Sequence, residues 1–91
     1  MNTTQANLDI QLQLLGLVKN THRFTIYTKW WDGYVLKAYT EEDEVTVAFG
    51  KEYNTKAQCT FPYSLYNTEE IVGVVVKLIT TKSMGVLAGR Q

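Results

Sequence analysis

One cysteine, one histidine and one proline are all that the chain has of those three residue types. Each scarcity excludes something. A single thiol, Cys59, leaves no internal disulfide, which fits a reducing compartment. His22 sits among polar residues with no base or nucleophile near it in sequence, so it reads as a solvated turn residue. One Cys and one His do not make a tetrahedral zinc site without carboxylates or a second chain. Cys59, between Gln58 and Thr60, reads as a small packing residue. No catalytic residue, metal ligand or cofactor site is expected, and the chain is not expected to be an enzyme.

Charge of one sign is also lacking. Nine Lys and Arg balance nine Asp and Glu, so no net field draws the chain to nucleic acid or to an anionic membrane. No apolar run approaches the ~20 residues of a membrane helix. The stretch Met1 to Asn7 is polar and has no basic region of the kind that opens a secretory signal. The expectation is a cytoplasmic protein with no membrane partner. Gly-rich phosphate loops, RNP-type sequences and helix-turn-helix patterns are missing too.

What is present is enough for a core. The chain has 91 residues, 45% hydrophobic and 20% charged, which fits one compact domain over residues 1–91. It is organised around residues 23–50. Two apolar-rich runs, Arg23 to Trp31 and Tyr34 to Thr40, meet at Asp32-Gly33. Asp-Gly between such runs predicts a hairpin with a type I′ turn, because both central residues of that turn need positive φ. A two-residue loop pairs Trp31 with Tyr34, and the register runs out to Ile26 with Tyr39. A third run, Glu44 to Gly50, completes a meander, with Val45, Val47 and Phe49 on its core side.

The hairpin has two apolar faces. One carries Phe24, Ile26, Trp30 and Val35; the other carries Tyr27, Lys29, Trp31, Tyr34, Leu36 and Ala38. With the first toward the core, Tyr27, Trp31 and Tyr34 stand on the open side.

Around the meander the signals are mixed. Within residues 4–19, Leu8, Ile10, Leu12 and Leu14 alternate with Asp9, Gln11 and Gln13 like a strand, but Gln5, Asp9, Gln13, Gly16 and Asn20 also make one polar stripe at helical spacing. Leu and Gln content favours the helix, started by Thr4 and stopped by Asn20, with wide apolar faces that need cover. Lys51 to Lys56 reads as a loop turning at Asn54-Thr55, and Ala57 to Phe61 as a fourth strand that Pro62 confines to an edge. Asn67 or Thr68, followed by Glu69 and Glu70, signals a helix start. The β-branched Val74-Val75-Val76 argues for strand, but the capping residues favour a helix over Ile71 to Ile79. Ser83 to Gln91 docks or frays. The predicted fold is α+β: an antiparallel β-meander of three to four strands flanked by an N-terminal and a C-terminal helix, in two layers.

The aromatic hairpin is the one positive functional feature. It implies a small non-enzymatic protein-binding module whose anchors are Tyr27, Trp31 and Tyr34. Lys29 and the acids Glu41, Glu42, Asp43 and Glu44 would form its charged rim. The partner is another protein, with a homodimer as a second option. Compact domains of this size without catalytic residues are often regulators or inhibitors carried by phages and mobile elements, for example against a host defence complex. Two other functions compete. Aromatics interleaved with Arg23, Lys29 and Lys37 also suit single-stranded nucleic acid, against which the zero net charge counts. A structural, self-assembling subunit would bury the same surface.

Overall fold

A computed structural model describes residues 3–51 and 56–88. The order is α1 (Thr3–Leu14), β1 (Val18–Asn20), β2 (Thr25–Trp31), β3 (Tyr34–Thr40), β4 (Glu44–Lys51), β5 (Lys56–Pro62), α2 (Thr68–Thr81) and α3 (Gly85–Ala88). The strands form one antiparallel sheet in sequence order, β1-β2-β3-β4-β5. The fold is α+β, with α1 and α2 touching each other over one sheet face. The sheet has one strand more than the largest number expected.

The extra strand comes from the N-terminal segment, which divides. Residues 3–14 are helical, and Val18–Asn20 pairs with β2. The helix stops at Gly16 rather than Asn20. Gly16 has φ +91°, its N–H donates to the Gln13 carbonyl, and the Leu17 N–H donates to the Leu12 carbonyl. This is a Schellman ending, in which a glycine takes the left-handed position and the next apolar residue folds back; Leu17 is buried. The helical spacing holds through Leu14, and the alternation of Leu8, Ile10, Leu12 and Leu14 falls inside that helix rather than in β1.

The β2–β3 register is as predicted, from Trp31 opposite Tyr34 to Ile26 opposite Tyr39. The turn differs from the expected type I′. Gly33 alone has positive φ, +79°, while Asp32 does not. One left-handed residue suffices for this reversal, and it is the one without a Cβ. The loop predicted at Asn54-Thr55 lies outside the described residues.

The covered face of the sheet is the reverse of the one expected. Val45, Val47 and Phe49 are buried beneath the helices as predicted. In the β3–β4 ladder Val47 stands opposite Ala38 and Phe49 opposite Leu36. Residues opposite each other in a ladder share a face. Ala38 and Leu36 therefore face the helices, and so do their β2 partners Tyr27 and Lys29, together with Trp31 and Tyr34. Tyr27, expected on the open side, is 1% exposed in the core. Trp31 and Tyr34 are half-buried and packed against Phe49. Phe24, Ile26 and Trp30 lie on the uncovered face, and Val35 shares their side of the sheet but is buried, 2% exposed.

Two helices complete the core. α2 opens on the predicted cap as a full capping box: Asn67 Oδ1 accepts from the Glu70 N–H, and Glu70 Oε1 accepts from the Asn67 N–H. It buries Ile71, Val74, Val75 and Leu78. The core needs one side of this helix, and the triplet's β-branched preference gives way to the cap and that burial. α1 contributes only Leu8 and Leu12 to the fully buried set. Ile10 and Leu14 stay exposed, so the wide cover expected for this helix is not supplied within the chain. After α2 the chain docks through Leu87 of α3, which is fully buried.

Candidate functional site

Two surfaces concentrate aromatic and charged side chains that remain at least partly exposed. The first is the uncovered sheet face. Its β1–β2 side is apolar: Val18, Phe24 and Trp30 are 70%, 64% and 57% exposed, and Ile26 is half-buried. Its β4–β5 side is polar, with Gln58 and the cross-strand pair Thr46 and Thr60, whose hydroxyls are 2.9 Å apart. Between them run Val35, Lys37 and Tyr39 of β3. A groove of about 630 Å³ opens where Phe24 meets Tyr39, Thr46 and Gln58, and Glu41 closes its rim. The volume is within the range of a small ligand pocket, and its lining combines Phe24 and Tyr39 with threonine hydroxyls, Gln58 and the Glu41 carboxylate.

The second surface lies at the β2–β3 turn, on the helix side. Trp31 packs edge-on against Phe49, with centroids 6.1 Å apart, and Tyr34 stacks on the same ring at 5.8 Å. Two ammonium groups lie over the Trp31 indole: Lys29 Nζ at 5.5 Å and Lys82 Nζ at 5.7 Å from its centroid. Lys51 pairs with Tyr34 across the ladder, at the same end of the sheet. Lys82 belongs to the C-terminal cap of α2 and holds a left-handed backbone, φ 51° and ψ 38°. Sequence reading named Lys29, Trp31 and Tyr34 but missed Lys82. Only the run of α2 back along the sheet brings Lys82 to them, and no local pattern encodes that.

The predicted site residues thus separate. Tyr27 is a core residue. Its hydroxyl donates to Asp9 Oδ1, and Asp9 also forms an ion pair with Lys19. The hydrogen bonds from Lys19 and Tyr27 hold the Asp9 carboxyl below its ordinary range. Burial, and then the Asp9 carboxylate, push the Tyr27 phenol well above its ordinary value. This trio ties α1 to β1 and β2, and every member has a structural partner.

Glu41, Glu42 and Asp43 form the β3–β4 turn and Glu44 opens β4, at the other end of the sheet from Trp31 and Tyr34. The Glu41 N–H donates to the Glu44 carbonyl, closing the reversal. Tyr63 leans on this turn, donating its hydroxyl to the Glu41 carbonyl. Burial, then Asp43, Glu41 and Glu44, push its phenol up to about 12.

His22 is exposed, its N–H held by Asn20 Oδ1 in a local turn. Cys59 is half-buried against the core. Among the described residues, no three His, Cys, Asp or Glu side chains gather as metal ligands would, and no helix is long and apolar enough to cross a membrane. No family model matches the chain, and comparison with curated proteins and with solved structures finds no match.

Proposed function

We propose that the chain is a small non-enzymatic protein-binding module that regulates or inhibits a larger protein by covering a site on it. The uncovered sheet face is the contact. The observation that supports this is the pair Phe24 and Trp30, more than half exposed on one face beside Val18. A scattered exposed apolar residue is ordinary, but Val18 on β1, Phe24 just before β2 and Trp30 near its end, with Ile26 between them, form an apolar strip along one side of the open face. Tryptophan is also the residue most enriched among those that dominate binding energy. The groove beside Phe24 accommodates a partner side chain, with Thr46, Gln58 and Glu41 as polar contacts.

The test compares immobilised wild-type protein with a Phe24→Ala/Trp30→Ala variant in capture from the native host's extract. A partner retained by the wild type and lost by the variant is the expected result. Equal capture by both removes this face from the function. A second reading, single-stranded nucleic acid on the same face, is favoured by Lys37 standing between Trp30 and Tyr39 on the open side. It predicts oligo-dT binding that falls steeply with salt and is lost in Lys37→Glu. A third, self-assembly, predicts a mass by light scattering that rises with concentration and drops in the Trp30→Ala variant.

A further inference from the structure

The basic corner around Trp31 calls for an explanation beyond packing. Each lysine has a local reason for its position. A Cβ on Gly16 would stand 2.9 Å from Lys29 Nζ, which places that ammonium at the C-terminal turn of α1. Lys82 stands at the C-terminus of α2. Cations are favoured at both ends by the helix dipole. Cation–π attraction draws both ammonium groups to one indole, 5.5 and 5.7 Å from its centroid, and concentrates positive charge there. Among the described residues, Lys29, Lys51 and Lys82 form no ion pair. Lys82 also occupies a left-handed backbone position that glycine or asparagine takes more readily. The chain thus holds Lys82 in a left-handed conformation with its ammonium group beside a half-buried aromatic that Lys29 also reaches.

We propose that this corner receives a carboxylate-bearing, Glu/Asp-rich segment of the partner protein. The inference rests on the reading of the chain as a protein-binding module and names the chemistry of its partner. Charge complementarity selects the occupant: Lys29 and Lys82 at Trp31, with Lys51 at the same end of the sheet, form no ion pair among the described residues and meet an acidic segment, while Trp31 with Tyr34 meets the aliphatic part of its side chains. A nucleic acid fits less well. Stacking bases need free ring faces in succession. Here Trp31 is packed edge-on against Phe49 with ammonium groups over it, and Trp30 points to the opposite side of the sheet.

The test titrates purified protein with poly-L-glutamate and, separately, with oligo-dT, reading tryptophan fluorescence and binding heat at low salt. The variants are Lys29→Gln/Lys82→Asn, in which asparagine suits the left-handed position, and Lys77→Gln, on α2 away from the corner. Thermal melts confirm that each is folded. Poly-L-glutamate is expected to bind the wild type and Lys77→Gln alike and to weaken at least about tenfold in the double variant. No binding to the wild type, or equal binding to the double variant, overturns the proposal. Tighter binding of oligo-dT than of poly-L-glutamate also overturns it and assigns the corner to nucleic acid. The titration uses no captured partner. The open-face reading can therefore fail in the Phe24→Ala/Trp30→Ala capture while the corner stands, and the reverse.

Discussion

Asp9 is the residue whose chemistry reaches furthest. It accepts from Tyr27 inside the core and pairs with Lys19 at the sheet edge. Asp9→Ala leaves the buried phenol without its acceptor and is expected to destabilise the fold by about 1–3 kcal/mol, read from urea midpoints. Because the folded state holds the Asp9 carboxyl below its ordinary 3.8, its contribution is present above that pH and is lost as pH falls through the lower folded value. The tyrosines act at the opposite extreme. Tyr27 and Tyr63 ionise later in the folded protein than their ordinary 10.0, so the stability they add is present below pH 10 and disappears as pH rises through their folded values. Tyrosinate absorbance should lag for these two and then rise together with unfolding; a complete rise near pH 10 with the fold intact would contradict this. The sequence showed Tyr27 as an aromatic on a strand but not its burial, because the Asp9 that satisfies its hydroxyl lies 18 residues away.

At the scale of elements, glycines mark where the sequence spoke clearly and where it did not. Gly16 ends α1 with φ +91°, and Gly16→Ala is expected to cost about 1–2 kcal/mol through backbone strain. Gly73 is the opposite case. It is exposed in the middle of α2, and a Cβ there would meet nothing within 4 Å. Gly73→Ala should therefore stabilise the protein by about 1 kcal/mol, seen as a higher urea midpoint with unchanged slope. The hairpin, the α2 cap and the edge position of β5 were legible because each rests on neighbouring residues: Asp32-Gly33, Asn67 with Glu70, and Pro62. The division of residues 3–20 into helix and strand was not. The residues that separate the two, Gly16 and Leu17, take their roles from a Schellman ending and from burial against the sheet.

Over the whole molecule, zero net charge conceals a separation. Antiparallel connections place Glu41, Glu42, Asp43 and Glu44 at one end of the sheet, and α2 begins there with Glu69 and Glu70 in its first turn. Lys29, Lys51 and Lys82 gather at the other end; among the described residues at the two ends, Asp32 and Arg23 run against this separation. A balanced composition thus does not exclude strong local fields. The two adjacent tryptophans give the clearest test of the face assignment. Trp31→Ala removes packing from Phe49 and should cost about 3 kcal/mol, whereas Trp30→Ala, on the open face, should cost about 1 kcal/mol or less. Thermal melts of the pair decide it, and a larger loss at Trp30 would reverse the assignment.

By itself the sequence determined the α+β class, the meander, the β2–β3 register and the core side of β4, because turn chemistry, capping and period-two alternation act over a few residues. It left open which hairpin face is covered, since both faces are apolar and alternation alone cannot rank them. Tertiary structure decided that through the β3–β4 ladder: once Val47 and Phe49 point at the helices, Ala38 and Leu36 must do so as well, and Tyr27, Trp31 and Tyr34 follow. The meeting of Lys82 with Trp31 is likewise tertiary. It depends on how α2 lies on the sheet, and packing between elements distant in sequence sets that, not the residues beside either side chain.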